Sequence, residues 1–303
     1  MKVGITGAGA MGLFFAYCIQ KAGNEVAIYE KSKDTVASVR GGFEIDFGGR
    51  KEKANITVSQ DPSIIKDSAY IFVFVKSFST AVAINEIGPF ITKETRLISL
   101  QNGIGNDETI KDMLPGNILI YGTTTFGAAK VSPSVIRFGG TGNILIGASN
   151  DTEIESAVKF LNAAGLNASK SSDPAKDVWK KAIINAGINP LGAILGIPNG
   201  MIIKNEYSLE LLRSLITEAV NAARARGFDF DAAEMQRSAF AVCEQTAVNE
   251  CSMLQDVKAG RRTEIESITG EIIAAAKKHN IETPSNTGVY QLIKALESGY
   301  LMR

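Results

Sequence analysis

One histidine stands in the whole chain of 303 residues, His279 in Ala-Lys-Lys-His-Asn-Ile. It closes an alanine-rich helical stretch, where a helix dipole favours a cation. An acid–base catalyst in this chain is therefore sought among lysine, glutamate and tyrosine. Cysteine is equally scarce: Cys18, Cys243 and Cys251 are odd in number and form no Cys-x-x-Cys pair. That argues against a disulfide framework and against a zinc site, and leaves three small apolar side chains. Charge of one sign is lacking too, with 32 basic against 32 acidic residues. Nothing in that balance draws the chain to nucleic acid or to an anionic membrane. No apolar run approaches the roughly 20 residues of a membrane span, and the first residues lead directly into a glycine loop, so a cytoplasmic protein is expected.

What is present is core-forming material, 45% apolar over a length that suggests two domains. In the first half, short apolar strands at residues 3–6, 26–29, 70–75, 96–101 and 118–122 alternate with helical segments, the rhythm of a parallel sheet with crossover helices. The stretch 41–50 alternates around Gly48-Gly49 and reads as a small hairpin; a second antiparallel element is expected from residues 134–138 and 143–147, making the sheet mixed at one edge. Beyond residue 170 helical periodicity runs through 174–195, 207–226, 231–250, 262–279 and 286–298. The expectation is an α/β Rossmann-type dinucleotide-binding domain over residues 1–170 and an all-α domain over 171–303. Ser171-Ser-Asp-Pro174 is the expected joint, with Ser172 or Asp173 capping the next helix.

The glycine loop Gly7, Ala8, Gly9, Ala10, Met11, Gly12 follows a strand and opens a helix. Its glycines suit a tight turn, close approach of a pyrophosphate and close helix–strand packing in turn. At the end of the second strand Glu30 stands where an acidic group binds the ribose diol of NAD, while Lys31 beside it favours a 2′-phosphate, and Lys76 offers a second cation. The residues leave NAD and NADP open. Asn102 follows the strand at 96–101 at the carboxyl edge where such sheets bind ligands, and the backbone of Gly122 to Ala128 is placed to approach a nicotinamide ring.

In the helical half, Lys181, Asn185 and Asn189 recur every fourth residue. At about 100° per residue they drift slowly around one helix face, setting an ammonium and two carboxamides toward one place among apolar neighbours. The alternative is a solvated edge ending at Asn189-Pro190. Asn249, Ser252 and Asp256 share a face by i, i+3, i+7 spacing, and Glu264 reads as a capping or surface carboxylate at a helix start.

Together, Gly7 to Gly12, Lys76, Gln101-Asn-Gly103, Trp179-Lys-Lys181 with Asn185 and Asn189-Pro-Leu, Pro198-Asn-Gly200, Ser252-Met-Leu-Gln-Asp256 and Thr263-Glu-Ile265 resemble the ketopantoate reductase family over nearly the whole length. The resemblance implies reduction of a small 2-oxo acid, 2-dehydropantoate, to (R)-pantoate on the route to pantothenate and coenzyme A. It implies Lys181 as general acid, with Asn102, Asn185, Asn189, Asn199, Asn249 and Ser252 holding substrate in a pocket bordered by the Lys181 face. Asn102 and Glu264 would reach the cofactor. The family favours NADP(H), with an arginine where Lys31 stands here; Glu30 keeps NAD(H) open. The near alternative is a D-2-hydroxyacid dehydrogenase of the mandelate type, the remote one a non-catalytic NAD(P) sensor. The oligomeric state is left open, a homodimer included.

Overall fold

The run Lys-Val-Gly-Ile-Thr, fully buried from Val3 onward, makes a central strand of the first unit because a strand covered on both faces needs apolar residues at successive positions, not alternate ones. In this computed structural model, which describes residues 1–148 and 150–302, the chain divides into two compact units. The first comprises Met1–Gln101 with Asn106–Asp177, the second Asn102–Gly105 with Val178–Arg303.

Among the described residues twelve strands lie in the first unit: β1 (Lys2–Thr6), β2 (Glu25–Tyr29), β3 (Phe43–Asp46), β4 (Lys51–Ala54), β5 (Thr57–Ser59), β6 (Tyr70–Val73), β7 (Arg96–Ser99), β8 (Ile118–Thr124), β9 (Ala128–Ser132), β10 (Val135–Phe138), β11 (Ile144–Gly147) and β12 (Ala168–Lys170). Eight form one sheet in the order β12-β11-β8-β7-β6-β1-β2-β5. Every neighbouring pair in it is parallel except β11 with β8, so the sheet is mixed at the expected edge. Helices α1 (Ala10–Lys21), α2 (Lys33–Val39), α3 (Thr80–Ile87), α4 (Asn106–Met113) and α5 (Asp151–Ala163) accompany the strands. Leu13, Phe15 and Ile19 of α1 are fully buried against the sheet, each contributing about 1.5–3 kcal/mol by leaving water.

The hairpin expected within 41–50 forms, but its second strand lies just beyond that stretch: β3 pairs antiparallel with β4, with Gly48-Gly49 in the turn. The second expected hairpin does not form. Residues 135–138 pair with β9 and β3, while 144–147 pair with β8, so the two segments belong to different sheets. Both are short alternating runs beside glycines, and local pattern does not distinguish partners in such segments. β4-β3-β10-β9 make a separate four-stranded sheet.

The second unit is helical: α6 (Pro174–Leu195, from Val178 onward in this unit), α7 (Asn199–Ile202), α8 (Glu206–Ala225), α9 (Ala232–Gln245), α10 (Ser252–Lys258), α11 (Glu271–Lys278) and α12 (Pro284–Leu301). Asp173 starts α6, its carboxylate accepting from the N–H of Lys176 at 2.9 Å. Two expected continuous helices are interrupted. The 231–250 segment ends at Gln245, and a fresh helix begins at Ser252, capped by the Cys251 sulfur accepting from the Leu254 N–H. The 262–279 segment opens as a π-helical turn, Glu266–Gly270, before α11. Among the described residues no helix is long and apolar enough to cross a membrane.

Candidate active site

The glycine loop is built as its sequence suggests. Gly7 has φ +93° and donates to the Tyr29 carbonyl at 2.8 Å. A β-carbon on Gly12 would stand 2.0 Å from the Gly7 carbonyl oxygen, so only glycine lets α1 start this close to β1. At Gly9 a β-carbon would meet nothing within 4 Å, so the protein itself gives no packing reason for a glycine there. Gly9 precedes α1, whose N-terminus carries no side-chain cap and no acidic residue in its first turn. Ala8 and Gly12 are buried, and Ala10 and Met11 are partly so. Open space beside an uncapped helix N-terminus is what a pyrophosphate requires, so these residues fit a dinucleotide.

Glu30 turns inward. One carboxylate oxygen accepts from the Ala8 N–H at 2.7 Å and the other from the Ser32 N–H at 2.8 Å, tying the glycine loop to the end of β2. Lys31 pairs with Glu86 on α3 at 2.6 Å, and the same carboxylate accepts from the Tyr29 hydroxyl at 2.7 Å. Sequence reading missed Glu86, which carries no motif and reaches Lys31 only through the packing of α3 beside β2. Lys76 is partly buried and precedes the 3₁₀ turn Ser77–Ser79. Ala128 opens β9, in the four-stranded sheet and not at the tip of a parallel strand. Gly122 also has a packing reason, since a β-carbon there would stand 1.9 Å from the Leu145 carbonyl oxygen.

In the second unit the α6 stripe is real. Pro190 sits inside the helix, which continues to Leu195, so Asn189-Pro190 is no terminus. Lys181 and Asn185 are partly buried and Asn189 is buried. Desolvation pulls the Lys181 ammonium down to about 8, and the charge of Glu264 opposes that shift. Glu264 is itself buried, which corrects its reading as a capping or surface carboxylate. Its carbonyl accepts from Ser267 Oγ at 3.2 Å and the Ile268 N–H at 3.1 Å at the start of the π-turn. Asn102 belongs to the short segment held on that same turn: the Ile104 N–H donates to the Ser267 carbonyl at 2.8 Å.

Asn199 begins α7, and its N–H donates to the Asn249 carbonyl at 3.0 Å. Its Nδ2 donates to Thr246 Oγ1 at 2.8 Å. That hydroxyl gives its own proton to the Val242 carbonyl at 2.6 Å, which fixes the amide orientation. Asn199 Oδ1 is then buried with no protein partner. Asn249 itself is exposed in the loop between α9 and α10, with Ser252 exposed at the start of α10. The expected shared helix face of Asn249, Ser252 and Asp256 is thus absent, because the break at Gln245 lies before Asn249. Asp256 is buried and paired with Arg261 at 3.1 Å. His279 caps the end of α11, where its sequence position put it, and is exposed. Burial raises the thiols of Cys243 and Cys251 to about 11 and that of Cys18 to about 12, so none is a ready nucleophile. Among the described residues no cluster of His, Cys, Asp and Glu could hold a metal.

A mostly parallel sheet with a glycine loop and an all-helical unit carrying a lysine of lowered pKa define a two-unit protein of dinucleotide-binding type. The chain belongs to the ketopantoate reductase PanE/ApbA family: that family's model matches residues 3–151, and the model of its C-terminal part matches residues 173–297. It is 36% identical to a 2-dehydropantoate 2-reductase of Pyrococcus horikoshii over 98% of both chains. A protein of that name from Halobacterium salinarum is 30% identical over 94% of this chain and 95% of its own. Among solved structures, D-mandelate dehydrogenase with NADH and anilino(oxo)acetate superposes with a TM-score of 0.93 at 26% identity, covering 99% of each chain. A PanE/ApbA family ketopantoate reductase from Ralstonia eutropha superposes with a TM-score of 0.92 at 25% identity, over 99% of this chain and 100% of that one.

Proposed function

We propose that this chain is a 2-dehydropantoate 2-reductase, reducing the C2 carbonyl of ketopantoate to (R)-pantoate with NAD(P)H, the step that feeds pantothenate and coenzyme A synthesis. The observation that carries the reaction type is Lys181: a lysine lowered to about 8 on a helix face shared with two asparagines. When bound, the reduced nicotinamide supplies hydride to C2. Lys181 stabilises the negative charge that develops on the carbonyl oxygen and gives it a proton, a role suited to a group whose pKa lies near working pH. Asn185 and Asn189 orient the substrate with neutral amides, which add no charge that must be desolvated. Glu264 keeps Lys181 from falling further and so preserves its protonated fraction. We assign Asn102 and Glu264 to cofactor contact, and Asn102, Asn199, Asn249 and Ser252 to substrate.

Ketopantoate brings a primary hydroxyl for Ser252 and the carboxamides assigned to substrate, where an aryl 2-oxo acid such as phenylglyoxylate brings none. The second reading, a mandelate-type D-2-hydroxyacid dehydrogenase, is favoured by the superposition on D-mandelate dehydrogenase. A kinetic panel of 2-oxo acids separates the two: ketopantoate should have the highest kcat/KM, and a preference for phenylglyoxylate would sink the first reading.

For the cofactor we propose NADPH, its 2′-phosphate taken by Lys31 and Lys76, with Glu30 accepting the ribose hydroxyls when NADH binds instead. Lys31 must then be shared with Glu86. We propose the cytoplasm as its place of work, where a pool of reduced nicotinamide is at hand. The alternative of a sensor without turnover gives no reason for Lys181, Asn185 and Glu264 to occur together.

A further inference from the structure

The segment that carries Glu264 is gripped by one face of α12. Tyr290, Lys294, Glu297 and Tyr300 succeed one another at i, i+4, i+7 and i+10, positions that lie close together around a helix. The Tyr300 hydroxyl donates to the Arg261 carbonyl at 2.9 Å, the Tyr290 hydroxyl to Glu266 at 2.8 Å, and Lys294 pairs with Glu266 at 2.8 Å. At the centre Glu297, only 2% exposed, accepts from both the backbone N–H and the hydroxyl of Thr263, each at 2.7 Å. The Thr263 hydroxyl accepts in turn from the Ile265 N–H at 3.2 Å. Glu264 is therefore bracketed on both sides by one hydrogen-bonded unit whose anchor is a buried carboxylate.

A buried carboxylate is costly unless every oxygen is occupied. Glu297 meets that cost with the two Thr263 donors on one oxygen and Lys294 at 3.2 Å on the other. An apolar side chain would fill the same volume but leave the buried Thr263 N–H without an acceptor, so this carboxylate is what fixes the backbone next to Glu264. We infer that Glu297 is a positioning residue for the reductase, acting through Thr263 to hold the Glu264 carboxylate in its place toward Lys181. The inference rests on the reductase reading, in which Glu264 belongs to the working site.

The test compares Glu297→Ala, Glu297→Gln and Thr263→Val in the full chain, each checked for a cooperative melt and assayed for ketopantoate reduction across pH. Glu297→Gln keeps an oxygen that can accept from Thr263 and should recover most of the activity. Glu297→Ala and Thr263→Val should lower kcat about 10- to 100-fold, the scale of a small misplacement of a site group. In both, the alkaline limb of the pH profile should move to lower pH, because a displaced Glu264 no longer opposes the desolvation of Lys181. A role confined to stability would lower the melt and leave that limb where it was. Should Glu297→Ala fail to fold, Thr263→Val, which keeps the side-chain volume, carries the comparison.

Amide exchange provides the readout that does not need turnover. The brace predicts faster exchange in Thr263→Val at both Ile265 and Ile268, whose N–H bonds to the Glu264 carbonyl. Acceleration at Ile265 alone would overturn the proposal, as would unchanged kcat and an unmoved alkaline limb in both loss variants. If the wild type failed to reduce ketopantoate, the reductase reading would fall while the exchange result still decided for or against the brace.

Discussion

Lys31 Nζ lies 2.6 Å from a carboxylate oxygen of Glu86, so the cation best placed for a 2′-phosphate already has an acidic partner. Both side chains have solvent access, which limits the strength of the pair but not its sign. With Lys31 in the proposed role, NADPH would compete with Glu86 for it and meet the repulsion of that carboxylate, and NADH would face neither. Glu86→Gln should therefore tighten NADPH by about tenfold or less, the scale of a surface charge pair, and leave NADH nearly unchanged. Fluorescence titration of both reduced cofactors at low and moderate salt measures this. An unchanged NADPH to NADH ratio would remove Glu86 from cofactor choice.

Gly9 and Gly12 should respond differently to the same added methyl. Gly12→Ala drives a β-carbon to 2.0 Å from the Gly7 carbonyl, and the start of α1 must shift, so both the melting temperature and cofactor binding should fall. Gly9→Ala meets only open space, and the fold should melt within a few degrees of wild type. If that space is where the pyrophosphate approaches, Gly9→Ala should still weaken NAD(P)H about tenfold or more. Wild-type cofactor affinity in Gly9→Ala would break the assignment of this loop.

The two glycines show why so much of the first unit was legible in sequence. A strand–loop–helix unit is local, and its constraints recur at fixed spacings along a few residues. The α6 stripe was legible for the same reason, periodicity within one helix. What stayed hidden depends on distant partners. Residues 135–138 and 144–147 are alternating runs either of which suits a hairpin, and only pairing with β3 and β8 separates them. Asn249 fell outside its expected helix because Thr246 and Asn249 turn the chain, the Asn249 N–H bonding the Thr246 carbonyl at 2.9 Å. Glu264 reads in sequence as a capping or surface carboxylate because nothing nearby announces the π-turn or the cover that α12 provides. Glu86 and Glu297 carry no motif at all and acquire roles only from what packs beside them.

Gly103 links that π-turn to the Asn102 segment. Its φ is +90°, and a β-carbon would stand 2.4 Å from Ser267 Oγ and 2.8 Å from the Ser267 carbonyl oxygen. Gly103→Ala combines a strained backbone with a clash that backbone as well as side chain must relieve, at a cost of at least about 1–3 kcal/mol. The expected outcome is a lower melting temperature together with a loss of ketopantoate reduction, because Asn102 leaves the turn that carries Glu264. Ser267→Gly in the same chain removes the side-chain part of the clash and should restore some stability. No change in either property for Gly103→Ala would contradict the close packing of the segment.

Lys181 ties activity and stability to pH in opposite directions. As general acid it must be protonated, so the rate of carbonyl reduction should be level below about 8 and fall roughly tenfold per pH unit above it; alcohol oxidation should show the converse rise. Lys181→Ala should lose several orders of magnitude in kcat with cofactor affinity nearly intact. The linkage to folding follows from the same shift. The folded-state pKa of about 8 lies below the ordinary 10.5, so between those values the unfolded chain binds more protons than the folded one. Stability contributed at this site should rise with pH across that window, being lowest below it and fully recovered above it. Lys181→Met, which has no proton to lose, should show no such rise, and the difference between the two denaturation series isolates the term. A wild-type series that ran parallel to the Lys181→Met series from 8 to 10.5, with a reduction rate that did not fall over the same window, would mean that Lys181 keeps an ordinary pKa and is not the acid.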